Sequence, residues 1–233
     1  MINYGRLLGL ALVLVLGVGT AHATTFGPTA YSTFAASSPF ASVSFSYFFL
    51  EDFDDHLLNT SGVSVNAGVV TSANSGFNGS IIDQVGLNGG CAAGGLSVAC
   101  DTLFGSGPTG LTFTFNAGTL GSLPTHAGVV WTDGDGTTSF SAFAPDGTTV
   151  VCSVGPVSIA DGSFFGTTAD DRFFGCSNAA GISKIFISNT SGGIEVDHLQ
   201  YGREGATGVP EPSSLLLIGS GLVGLLFARR ERA

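Results

Sequence analysis

Between Thr24 and Gly208 the chain never sustains a hydrophobic period of 3.6 residues, which excludes a helical core for this stretch. Short runs instead alternate apolar with polar residues. Val43, Phe45, Tyr47 and Phe49 alternate with their neighbours along Ser42–Phe49, and Val63, Val65, Ala67 and Val69 do the same. Leu111, Phe113 and Phe115 alternate with threonines, and further strands are predicted over Thr149–Val154, Ile185–Ser188 and Ile194–Tyr201. Successive strand side chains point to opposite faces, so runs of this kind bury one face each. Turn signals fall between them at Asn88-Gly89-Gly90, Asp133-Gly134-Asp135-Gly136, Pro145-Asp146-Gly147 and Ser191-Gly192-Gly193. The tract from Leu87 to Gly95 is expected to be a long Gly-rich loop. Such a pattern predicts an all-β fold, an antiparallel β-sandwich of jelly-roll type. A parallel βαβ architecture would need helices that the pattern lacks.

Both ends of the chain differ from this body. Residues 1–23 read as a signal helix. Met1 to Arg6 carries one cation, Leu7 to Val18 is apolar, and Ala21-His22-Ala23 puts small residues at the two positions a signal peptidase reads. Cleavage after Ala23 would leave Thr24 as the first residue of a β-sandwich ectodomain over 24–203, with a linker over 204–208. At the other end, Ser213 to Ala228 is apolar. As a transmembrane helix it covers about 24 Å of a hydrocarbon core about 30 Å thick. Snorkelling arginines absorb that mismatch. The basic tail over 229–233, with Arg229, Arg230 and Arg232, is expected to stay cytoplasmic. Gly219, Gly221 and Gly224 make the same stretch a poor helix in water.

Val209-Pro210-Glu211-Pro212, the short apolar span and the terminal arginines together resemble a PEP-CTERM sorting signal over 209–233. That resemblance implies an exported protein of a Gram-negative bacterium. It further implies handling by an exosortase-like membrane transpeptidase that recognises Pro-Glu-Pro, with the membrane helix as a temporary tether. The body is similar to one recurrent kind of PEP-CTERM ectodomain through Phe49-Leu50-Glu51-Asp52-Phe53, the run Ala127 to Asp133, Asp171-Arg172-Phe173-Phe174-Gly175 and the run Glu195 to Gly202. This second resemblance implies an exported β-sandwich and carries no catalytic activity with it.

Charge narrows the partners. The whole chain has 7 Lys and Arg against 17 Asp and Glu, but four of the cations lie in the two ends. The body from Thr24 to Gly208 keeps Arg172, Lys184 and Arg203 against fifteen acids. A surface that acidic cannot neutralise a phosphate backbone, so nucleic acid is excluded as a partner. Cys91, Cys100, Cys152 and Cys176 make an even count in an exported chain, which favours two disulfides over a zinc site. Sequence-neighbour pairing, Cys91 with Cys100 and Cys152 with Cys176, is the expected connectivity among the three allowed.

Three acidic groups bear on ligands. Glu51-Asp52 with Asp54-Asp55 follows an aromatic strand, Glu195 and Asp197 sit two apart on a late strand, and Asp170-Asp171 precede Arg172. First and last strands of a jelly roll often lie side by side, which would bring Glu51 or Asp52 near Asp197 and offer oxygen ligands to a structural Ca²⁺. The competing reading is a solvated acidic edge that blocks unwanted strand pairing. Asp133-Gly134-Asp135-Gly136 lacks the Glu of a calcium loop, since Ala144 stands at its twelfth position, and is read as a plain turn. Asn59, Asn78 and Asn189 begin Asn-x-Ser/Thr triplets that suggest surface loops. His56, His126 and His198 are scattered and no G-x-S-x-G elbow occurs, so no cofactor and no catalysis are expected. The 19 Phe and the one Trp, Trp131, are assigned to core packing, while Tyr31, Tyr47 and Tyr201 are candidates for a sugar platform. The expected function is a structural or adhesive protein of the cell surface or extracellular matrix, with extracellular polysaccharide as a candidate partner. A calcium-dependent carbohydrate-binding module is the first alternative. A glycoside-processing enzyme using Glu195 or Glu51 with an Asp is the second.

Overall fold

A computed structural model describes residues 22–71, 82, 101–162, 171–205 and 219–220. Within them ten strands form one sheet, and every pairing is antiparallel. The strands are β1 (Thr24–Ala30), β2 (Phe45–Glu51), β3 (Val63–Val65), β4 (Val69–Thr71), β5 (Thr102–Ser106), β6 (Leu111–Phe115), β7 (His126–Phe143), β8 (Val150–Val157), β9 (Arg172–Ser177) and β10 (Lys184–Glu204). Two single-turn helices interrupt them, α1 (Phe34–Ser37) and α2 (Ala117–Leu120). Thr33 caps α1 by accepting from the Ala36 amide, and Asn116 caps α2 by accepting from Gly118 and Thr119.

Two long strands form the spine. β7 and β10 pair along their whole lengths, from Lys184 opposite Phe143 to Gly202 opposite His126. Their ladder shifts register between Asn189 and Ser191 and again between Ser191 and Ile194, opposite the Gly134–Gly136 stretch. These bulges divide the sheet. On one side of them lie β3, β6 and β8; on the other lie β1, β2, β5 and β9, with β4 beyond β5. The two halves meet through their side chains. Phe115 of β6 packs 5.0 Å from Tyr201 of β10, Phe140 lies 6.1 Å from Phe174, and Cys152 of β8 is disulfide-bonded to Cys176 of β9.

Alternation accounts for the core. In β6, Leu111, Phe113 and Phe115 are buried while Thr112 and Thr114 are not, the period of 2 expected of a half-buried strand. The main cluster unites these with Val129, Trp131, Phe140, Phe174, Ile185, Ile187, Ile194, Val196, Leu199 and Tyr201. A second cluster takes the residues between, Val130 and Phe173, and covers them with Tyr31 and Phe40. The outer face of β7 and β9 is therefore dry as well as the inner one. Phe40 stands edge-on to both Phe173 and His126 at 5.3 Å, a favoured arrangement of ring quadrupoles.

The structure corrects several expectations. Asp133-Gly134-Asp135-Gly136 and Ser191-Gly192-Gly193 are not turns between strands; both lie inside β7 and β10. Their glycines serve the paired bulges instead. Gly136 has φ +77° and Gly192 φ +61°, and a Cβ would strike Thr190 Oγ1 at the first and the Asp135 carboxylate at the second. Ile185–Ser188 and Ile194–Tyr201 accordingly merge into one strand, whereas the Val63–Val69 run splits into β3 and β4. β10 runs to Glu204, and the Gly205 amide still donates to Ser44, so the folded body extends into the expected linker. Asn189 is buried, not in a surface loop; Asn59 is exposed, and Asn78 lies outside the described residues. Pro145-Asp146-Gly147 does turn the chain between β7 and β8, with Asp146 accepting from the Thr148 and Thr149 amides.

The signal helix, the Leu87–Gly95 loop, Cys91, Cys100 and the apolar C-terminal span lie outside the described residues, apart from Gly219 and Ser220. Among the described residues no helix is long and apolar enough to cross a membrane. The Cys152–Cys176 pairing matches the sequence-neighbour connectivity.

Candidate functional site

Where β7 and β10 bulge past each other they open a cleft of ≈ 140 Å³. It is lined by Phe104 of β5, Asp133, Gly134 and Asp135 of β7, Gly193, Ile194 and Glu195 of β10, and Gly162. Glu195 lies directly across the ladder from Asp133, so their side chains occupy one cross-strand site. Ser191 is likewise opposite Asp135. Glu195 is 7% exposed and accepts a hydrogen bond from Thr102 Oγ1, which aims its carboxylate along the β5 side. Burial pushes the Asp133 carboxyl above the usual range, the neighbouring charges of Asp161 and Asp135 add to the shift, and the Gly134 amide opposes it. The Phe104 ring remains 39% exposed on the rim. An apolar ring beside several carboxylates can stack on a sugar face while accepting from its hydroxyls.

Sequence reasoning singled out Glu195 but separated it from Asp133 and Asp135, and it did not find Phe104, Thr102 or Asp161. Only strand register brings these together. The Gly-rich signals at 133–136 and 191–193 mark both walls, because glycines that suit a turn suit a bulge as well.

The first strand, β1, pairs with β9 rather than with the last strand, but β2 pairs with β10, so Glu51 at the end of β2 lies opposite Leu199, two residues along β10 from Asp197, and Asp52 follows in the loop. The Glu51 carboxylate is occupied by the backbone. One oxygen accepts from the Phe53 amide at 3.1 Å, the other from Asn59 at 2.9 Å and Thr60 at 3.0 Å. It thus staples the loop 52–60 to the end of β2. Asp52 accepts from the Asp54 amide, and Asp197 accepts from the His198 amide at 2.6 Å. Among the described residues no three His, Cys, Asp or Glu side chains are grouped to hold a metal ion.

Beside that loop lies a set of titratable groups. His56 Nδ1 pairs with the buried Asp101 carboxylate. Burial, with the charges of Asp52 and Asp101, pushes the Asp54 carboxyl up to about 6, against the Asp101 amide and His198, which lower it. On the covered outer face, Tyr31 Oη meets His198 Nδ1 at 2.8 Å and accepts from Gln200 Nε2 at 3.0 Å, while Ser38 Oγ donates to Gln200 Oε1 at 2.5 Å. His198 reaches this network because it sits in the left-handed region, φ 44°, at the bulge between Asp197 and Gln200. Tyr31 and Tyr201 are buried, which removes both from the expected sugar platform, and Tyr47 is half-buried with its hydroxyl donating to Ser122.

Comparison with known protein families finds the PEP-CTERM protein-sorting motif at residues 208–232. The chain therefore carries an exosortase-recognised sorting signal at its C-terminal end. The match begins four residues after β10 ends at Glu204. No curated protein matched the chain. No solved structure matched it either.

Proposed function

We propose that this exported, exosortase-sorted chain is a structural or adhesive protein of the cell surface or extracellular matrix, and that its body performs no catalysis. The observation that supports this is the sorting motif set immediately after the central strand of an all-β body. In this reading the sheet, bent at the β7–β10 bulges, is a β-sandwich of jelly-roll type delivered outside the cell. The signal peptide over 1–23 and the transmembrane helix over 213–228 are the two temporary membrane attachments. The exosortase-like transpeptidase removes the second. Intact mass of the mature protein tests the sorting: a product retaining Ser213–Ala233 in a cell with a working exosortase overturns it.

Adhesion in this proposal is polysaccharide binding at the cleft, favoured by the exposed Phe104 ring beside Asp133, Asp135 and Glu195. A glycan array with the full chain is expected to show binding that Phe104→Ala abolishes. Calcium-dependent recognition is the variant of this reading in which the same array signal disappears in chelator. A glycoside-processing activity would instead show turnover of a bound glycan that Glu195→Gln removes.

A further inference from the structure

Strand register places both ends of the folded body in one row. Thr24, the first residue of β1, is opposite Ser177 of β9; Ser177 is opposite His126, the first residue of β7; and His126 is opposite Gly202, near the end of β10. Three strand spacings separate Thr24 from Gly202, about 15 Å. The segment that precedes the body and the segment that carries the sorting motif thus leave from the same end of the sheet.

The start of β10 returns to that end too. Ile182 donates to Pro124 at 2.7 Å, Asn178 to Thr125 at 2.8 Å and Ser183 to Phe143 at 3.0 Å. Lys184 and Arg203, two of the three cations of the body, therefore lie at this end, balanced by Asp146 and Glu204. Val150, half exposed, opens β8 opposite Phe143 beside them. The acid-lined cleft sits seven residues along β7 from His126, about 23 Å away, and among the described residues no cation lines it.

We infer that the end of the body bearing Thr24, Ser177, His126 and Gly202 is a membrane-facing surface, and that the acidic cleft points away from the bilayer while the chain is anchored. This rests on the reading of residues 213–228 as the anchor. Covalent reach favours it: the eight residue steps from Gly205 to Ser213 span at most about 28 Å. An inverted body would use about 23 Å of that to bring its far end to the bilayer. It would also press a cluster of carboxylates onto anionic headgroups, where like charges repel within a Debye length. The upright body sets near-neutral surface there instead, and it leaves the cleft open to an external polymer.

The test uses the full chain in vesicles of phosphatidylethanolamine and phosphatidylglycerol, with a fluorescent probe on Ser42→Cys at the near end or Ser191→Cys at the far end. Both serines are exposed. Flotation with the vesicles reads the anchor. Quenching by a headgroup-borne acceptor reads the orientation, and it is expected to extinguish the Ser42 probe and spare the Ser191 probe. Ala179→Cys and Thr190→Cys supply the same comparison should either serine variant misfold. Equal or reversed quenching in floating protein overturns the membrane-facing end and leaves the anchor standing. Failure to float overturns the anchor reading and this inference with it.

Discussion

Cys152 and Cys176 are bonded across strands that do not pair with each other. Their Cα atoms are 5.9 Å apart, with Cys152 on β8 against the C-terminal part of β7 and Cys176 on β9 against the N-terminal part. The bond therefore ties the β8 side of the bulges to the β9 side. It closes a loop of 24 residues, for which chain-entropy arguments give about 3 kcal/mol. Cys152→Ala with Cys176→Ala is expected to lose about that much in denaturant titration while keeping its strand signal. An unchanged midpoint would show that the main hydrophobic cluster alone holds the halves together.

Asn189 stands at the bulge with its side chain fully engaged. Oδ1 accepts from Trp131 Nε1 at 3.1 Å and from Thr138 Oγ1 at 3.0 Å, and Nδ2 donates to the Gly193 carbonyl at 2.9 Å. Asn189→Ala would leave two buried groups, the Trp131 indole and the Thr138 hydroxyl, and the half-buried Gly193 carbonyl without this partner, a loss of about 3 kcal/mol. The emission of Trp131 should shift in the same variant, because the indole N–H loses its acceptor. A variant with wild-type emission and stability would contradict the role of this amide in holding the bulge.

Glu51→Ala should free the loop 52–60 by removing the acceptor of three amides, at a cost of about 3 kcal/mol in chelator-treated protein. Hydrogen exchange at Asn59 and Thr60 should accelerate in step. A loss that appears only when calcium is present would return Glu51, Asp52 and Asp197 to the role of cation ligands.

Asp54 gives a pH dependence of definite sign. Its carboxyl is pushed up to about 6 in the folded state, so folding favours the protonated form. The stability it contributes is fully present below the unfolded value near 4 and is lost as pH rises through about 6. Asp54→Asn should therefore stabilise the protein at pH 7 and have no effect at pH 3. The carboxyl is only half-buried, so solvent screening limits the gain to about 1 kcal/mol. Thermal midpoints of both forms across this range check it, and a gain that grows toward low pH would refute it.

Much of the fold was legible because alternation is a local property. The β6 run Leu111–Phe115 alternates as written, and the aromatic run before Glu51 became β2. β1, β5 and β9 escaped notice. Thr24–Ala30 contains Gly27 and Pro28, and in Arg172–Ser177 four consecutive buried residues show no alternation because both faces of β9 are covered. The glycine clusters at 133–136 and 191–193 misled for a related reason. A residue that permits a positive φ serves a turn or a bulge equally well, and local sequence does not distinguish them.

By itself the sequence determined the all-β class, the sorting motif and the acidity of the body, since each follows from composition, spacing or short patterns; the Cys152–Cys176 bond was one of three pairings it allowed, and the fold selected it. Tertiary structure alone decided that Asp133, Asp135 and Glu195 share a cleft with Phe104, that Glu51 serves backbone amides, and that both ends of the body leave from one side. Glu51 reaches its amides because the loop 52–60 folds back over the end of β2. The cleft and the shared end depend on the register between strands that lie far apart in the chain, from His126 and Ser177 to Thr24 and Ser177. A shift of one residue there would turn every side chain to the opposite face.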